Sequence, residues 1–269
     1  MPGVDAALSL APGSPSVAEY HTGAGLPSGL SPRPYLHPVR TLAGTVVTEL
    51  QPASHRHHLG AGIAVPDVDG ANFWGGRTFV PGHGPVWLDN HGTQLHLDWL
   101  HVSPSSFTQA LQWLHMDGTA LLAERRRISA RPLSATAWAL EITFSLVNVS
   151  GREVAVRSPA TLGRDGAGYG GLFWRAPSPA RAFGPVPVPH GASAPWLALA
   201  GPSWTLVFSG GGEDPWFVRV RDYAGVGSAL AWREPLVLAP VAEVSRSFTV
   251  VVADGVLSAE EAAAVAVPG

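Results

Sequence analysis

Glycine and proline punctuate this chain from end to end, with 31 and 25 of them among its 269 residues. Together they exceed a fifth of the sequence. Punctuation this dense forbids long helices and cuts the backbone into short extended segments joined by tight turns. The segments between carry β patterns: Leu95–Val102 and Phe107–Leu114 alternate, and Ala137–Leu146, Trp204–Ser209, Trp216–Arg221 and Ser247–Val252 are rich in aliphatic and aromatic residues. Turn signals separate them at Asp117-Gly118, Asn148 to Gly151, Gly210 to Gly212 and Asp254-Gly255. Many strands with no helical crossovers predict an all-β fold, a large antiparallel β-sandwich. One helix is expected, over 258–266, because Ser258-Ala-Glu-Glu261 is a capping box ahead of an Ala-rich stretch. With no internal repeat and no separating linker, residues 1–269 read as a single β-sandwich domain. Its Gly/Pro/Ser-rich residues 1–30 are expected as an edge strand or a partly mobile arm.

Several function classes fall away on composition. The chain has no cysteine, which removes disulfides, thiolate nucleophiles and iron–sulfur clusters. Its 17 cations are all arginine, its net charge is −3, and the run Arg125-Arg126-Arg127 is too short for a nucleic-acid patch. Residues 1–12 lack a basic leader region, and no window approaches 18 apolar residues, so neither a signal peptide nor a membrane helix is expected and the predicted location is cytoplasmic. Neither a nucleic acid nor a membrane is an expected partner, and a homodimer is compatible with the sequence. A G-x-S-x-G elbow and a phosphate-binding GK[ST] loop are both missing.

What remains is a histidine-rich centre. Six of eleven histidines fall between His37 and His91, and His55-Arg56-His57-His58 is the densest cluster. Read as an extended strand, this segment projects His55 and His57 on one face and His58 on the other. Two imidazoles on one face could chelate a divalent metal (zinc, manganese or nickel) or share a substrate anion, and Gly60 and Gly62 would let the backbone approach a ligand. An exposed polar turn after Pro52 is the alternative. Glu124 and Arg126 share a face of their strand, a carboxylate kept ionised by a guanidinium or a plain surface ion pair. Ten tryptophans are a heavy load; most fill a core, Trp138 and Trp204 among them, while Trp74 and Trp174 sit beside glycine and arginine as candidates for stacking on a sugar. The loop Arg164-Asp-Gly-Ala-Gly-Tyr-Gly-Gly171 would bring Arg164 and Tyr169 to a pocket rim, and Trp216-Phe-Val-Arg219 offers another indole beside a guanidinium.

Several of these blocks occur in a known order. Arg33 to Arg40 (with His37), Ser54 to Gly60, Asp67 to Arg77, Gly166 to Arg175 and Pro215 to Arg219 resemble the PmoA-like family of bacterial domains of unknown function, over most of residues 31–255. Ser54 stands where that family usually has Asp, and Asp69 where it usually has Asn. The resemblance implies a galactose-mutarotase-like supersandwich and work on glycosides or oxidised sugars. The label's link to a membrane-embedded methane monooxygenase is at odds with a chain lacking apolar spans. The leading expectation is therefore a carbohydrate-active enzyme, a lyase or hydrolase cleaving the glycosidic C–O bond of a glycoside or keto-sugar. His55, His57 and His58 would supply acid/base or metal chemistry and Glu124 would assist, with His37, Arg40, Trp74, Arg126, Arg164, Tyr169, Trp174 and Arg219 holding the sugar. A sugar epimerase or mutarotase is the alternative, with Glu234 as its late-strand base. A non-catalytic sugar-binding partner of an oxidoreductase, or a tailoring role in secondary metabolism, is a further one.

Overall fold

The structure, a computed structural model, describes residues 7–12 and 15–266. Two large antiparallel sheets face one another. The first has seven strands in the order Ala7–Leu10, Ala18–His21, Tyr35–Val39, Ala61–Ala64, Gly171–Ala176, Ala224–Ser228 and Trp216–Arg219. The second has eight: Arg181–Phe183, Trp196–Ala200, Trp204–Gly210, Glu243–Asp254, Ala137–Asn148, Ala120–Pro132, Ser106–Leu114 and Thr93–Val102. The antiparallel sandwich read from the strand patterns is therefore what forms. Parts of the expected N-terminal arm, residues 1–6 and 13–14, lie outside the described residues; Ala7–Leu10 and Ala18–His21 form the edge of the first sheet.

The main core lies between the sheets. Leu36, Ile63, Trp174 and Val226 from the first meet Trp113, Ile128, Leu140, Phe208 and Val250 from the second, all at most 2% exposed. Alternation along Ala120–Pro132 explains why. Glu124, Arg126, Ile128 and Ala130 turn inward, while Arg125 and Arg127 turn to solvent. The helix Ala259–Ala266 covers the outer face of the second sheet with Ala262 and Ala266 against Trp196, Val207 and Val251. Its capping box closes as the sequence predicts: Ser258 N donates to Glu261 Oε2 at 2.8 Å, and Glu261 N to Ser258 Oγ at 3.2 Å.

The central strand Gly171–Ala176 is buried along its whole length, so both of its faces are covered. Leu172 and Trp174 join the inter-sheet core, whereas Phe173 joins Ala64, Trp74 and Phe217 in a separate aromatic layer on the outer face. That outer layer floors the candidate site. A small hairpin, Thr78–Val80 with Gly84–Val86, stands apart from both large sheets and pairs only with itself.

Candidate functional site

The histidine cluster is a double turn, which corrects the extended-strand reading. His55 N donates to Pro52 O at 2.8 Å and His58 N to His55 O at 2.9 Å, so the chain reverses twice in seven residues. Arg33 Nη2 anchors the turn through a 2.6 Å bond to His57 O. The consequence is convergence. All three rings gather on one side, with His55 stacked on His58 at 4.7 Å, His57 edge-on to His58 at 4.7 Å, and His55 and His57 5.9 Å apart. His58 sits deepest, 2% exposed, against Phe173 at 4.9 Å and Tyr223 at 5.2 Å, and its Nδ1 has no hydrogen-bond partner. Arg175 Nη1 is likewise unpartnered, and the guanidinium carbon of Arg175 lies 4.4 Å from the centroid of the same Tyr223 ring. Glycine at 76 is a steric requirement: at φ +71° its Cβ would lie 2.7 Å from His57 Nδ1. Gly60 and Gly62 serve a different purpose from the ligand approach expected of them, since a Cβ there would strike Leu36 O at 2.2 Å and Pro34 O at 3.0 Å in the neighbouring strand.

Burial decides the protonation of these rings. It holds His57 down at about 3, with the Arg33 guanidinium adding to the effect, and it pushes His58 lower still. His55 is nearer solvent. Its value is also lowered, by burial first and by Arg175, while the negative charge of Asp222 acts in the opposite direction. All three imidazoles are therefore neutral at pH 7. Among the described residues no three His, Cys, Asp or Glu side chains are arranged to hold a metal ion. The metal expected at His55 and His57 has no support in this geometry.

The turn forms one wall of a cavity of about 680 Å³. Trp74 and Tyr169 pack at a tilt, 4.6 Å apart, on its floor, and Tyr169 meets Phe217 edge-on at 5.4 Å. Opposite, the hairpin contributes Phe79 and Pro85, followed by Trp87, which is 61% exposed. Arg77, Arg164, Arg219 and Asp222 supply the formal charges. Arg219 is held by carbonyls, from Nη1 to Val218 O and from Nη2 to Gly166 O, both at 3.0 Å, and it lies over the Phe217 ring at 4.4 Å. Burial raises the Tyr169 phenol, and pushes that of Tyr223 up to about 12.

Seven residues singled out in the sequence meet here: His55, His57, His58, Trp74, Arg164, Tyr169 and Arg219. Six others do not. Glu124 is 3% exposed between the sheets, where Trp113 Nε1 donates to it at 2.7 Å and Arg126 binds it through two N–H groups at 2.6 and 2.8 Å. Arg126 also reaches Tyr20 and Gln94, so this pair is a satisfied core network rather than a ligand site. Trp174 is fully buried, its Nε1 donating to Val47 O at 2.8 Å. His37 shares a 2.9 Å bond with Thr48 Oγ1, and Arg40 reaches Gly44 O at 3.4 Å; neither lines the cavity. Glu234 lies on an exposed bend instead of a strand and is also outside it. Sequence reasoning passed over Arg77, Trp87, Asp222 and Tyr223. Asp222-Tyr223 follows the Trp216–Arg219 block after two intervening residues, and that nearness was the available signal.

Comparisons with known proteins fit this picture. A family model described as a family of unknown function (DUF6807) matches residues 7–267. No curated protein matches the sequence. Among solved structures, a protein from Escherichia coli K12, provisionally described as an aldose 1-epimerase, superposes with a TM-score of 0.51 at 11% identity, over 92% of this chain and 98% of that one. The likeness shows the fold, a galactose-mutarotase-like β-sandwich. The matches do not carry the PmoA-like name.

Proposed function

We propose, for a chain that belongs to the DUF6807 family, that the hollow beside the histidine turn binds a sugar and interconverts its anomers. One observation carries the reading: a neutral imidazole, His55, and a carboxylate, Asp222, stand on the wall of a sugar-sized, aromatic-floored cavity, with the charge of the one bearing on the other. Mutarotation asks for little more. His55 accepts the proton of the C1 hydroxyl as C1=O forms and the bond to the ring oxygen breaks. The imidazolium returns that proton to the ring oxygen, and the aldehyde face turns before reclosure. Asp222 stabilises the transient imidazolium, Ser54 Oγ at 3.0 Å from His55 Nδ1 fixes the ring's orientation, and Trp74 and Trp87 offer faces to the sugar's C–H groups. The fold shared with a protein described as an aldose 1-epimerase supports this reading above glycosidic cleavage. Cleavage was expected to draw on Glu124, which is locked in the core.

The test is anomer exchange followed by NMR on a panel of aldoses. The protein should accelerate exchange. Asp222→Asn and His55→Ala should each lower the rate on the order of 100-fold, and Glu234→Gln should leave it alone. Activity should hold at pH 7 and fall as acid protonates His55, at values below the ordinary 6.5. Exchange at the uncatalysed rate alongside release of an aglycone from a 3-keto-glycoside would overturn the proposal. Saturable sugar binding without any turnover would point to a binding module, a second reading favoured by the low proton affinity of His57 and His58.

A further inference from the structure

The charges on the cavity wall do not balance. Three guanidinium groups, from Arg77, Arg164 and Arg219, face one carboxylate, Asp222, and the imidazoles beside them are neutral. Several arginines elsewhere in the chain are matched: Arg126 with Glu124 at 2.6 Å, Arg175 with Glu49 at 2.8 Å and Arg246 with Asp214 at 2.7 Å. Others, the buried Arg33 among them, are not matched among the described residues. Among the described residues, none of the three cavity arginines has a carboxylate within ion-pair distance.

One of them is also fixed in place. Arg219 binds Gly166 O, in the same loop that carries Arg164, and so ties that loop to the strand Trp216–Arg219. Arg164 lies exposed in that loop, and both guanidinium charges bear on the Tyr169 phenol, opposing the larger effect of burial. Arg77 comes from the other side, directly after the Gly75-Gly76 turn that packs on His57. Uncompensated cations gathered on one concave wall focus a positive potential, and the planar guanidinium fork matches an oxyanion. A neutral sugar would leave that potential unanswered.

Building on the sugar site proposed above, we infer that the ligand is an anionic sugar, whose carboxylate or phosphate group is held by Arg164 and Arg219 with Arg77 closing over it. A hexuronate and a hexose phosphate share this chemistry, and titration separates them. Calorimetric titrations of the wild-type chain with glucuronate, glucose 6-phosphate and glucose should give at least one anion binding on the order of tenfold tighter than glucose, the factor expected of one charge-assisted contact. The stronger anion identifies the group, and its advantage should shrink as salt rises. Arg164→Gln and Arg77→Gln should each pull the ratio of anionic to neutral affinity toward one. Arg219→Gln should do the same, with the two exposed arginines deciding the matter if that variant unfolds. Glucose binding as tightly as both anions, or a ratio unmoved by Arg164→Gln and Arg77→Gln, would overturn the inference. Anomer exchange recorded in the same samples keeps the two proposals apart: selective anion binding without exchange sinks the mutarotase reading alone, and exchange without anion selectivity sinks this one alone.

Discussion

At the scale of single residues, His57 links the site to the stability of the chain. Its imidazole titrates at about 3 when folded and at 6.5 as an ordinary side chain, so between those values the unfolded chain takes up a proton that the folded chain refuses. The sign follows: stability is fully present above pH 6.5 and drains as pH falls, by up to about 1.4 kcal/mol per pH unit for each such group. Thermal melts from pH 7 to pH 5 should therefore show a falling melting temperature, and His57→Gln should flatten the decline; parallel curves for the two proteins would refute it. Gly76 is as exacting. Alanine there, at φ +71° and with its Cβ 2.7 Å from His57 Nδ1, should cost on the order of 1–3 kcal/mol and disturb ligand binding, measured by denaturation and titration together. The histidines, Trp74, Arg164, Tyr169 and Arg219 were legible in the sequence because unusual residue types sat beside glycines. Trp174 was misread for a concrete reason. Phe173 and Trp174 are neighbours between Gly171 and Arg175, and only the strand's phase, invisible in a run of six buried residues, decides which ring faces the core.

Among the elements, strands and the terminal helix were the most readable, and the turns at the site the least. Alternation marked Thr93–Val102 and Ser106–Leu114 to within two residues, and the capping box marked the helix. By contrast, His55 to His58 alternates no differently from a strand. What makes it a double turn is a set of backbone bonds to Pro52 and Gln51, with Arg33 as a distant anchor. Pro52 was the local sign of that turn, offered in the sequence as the alternative, whereas the Arg33 anchor, 24 residues away, leaves no local trace. Removing the helix cap with Ser258→Ala should cost about 1 kcal/mol, read by chemical denaturation. Because the helix packs on the second sheet, away from the cavity, ligand affinity should not change.

Across the whole molecule, the two sheets are joined by polar as well as apolar contacts. Tyr20 from the first sheet donates to Gln109 at 2.6 Å and accepts from Arg126, which Glu124 neutralises. Glu124→Gln would leave Arg126 charged and uncompensated in the interior, so a loss of about 3–5 kcal/mol is expected in equilibrium unfolding. Sugar binding by the remaining folded protein should persist; its disappearance in a fully folded variant would mean that the pair does serve the site. The sheets thus carry the stability, while the far rim of the hollow rests on a hairpin bonded to neither of them. Substitutions or length changes in Thr78–Val86 can therefore reshape what the hollow admits without reopening the question of whether the chain folds, and relatives of this protein could diverge in substrate by editing those nine positions on an unchanged frame.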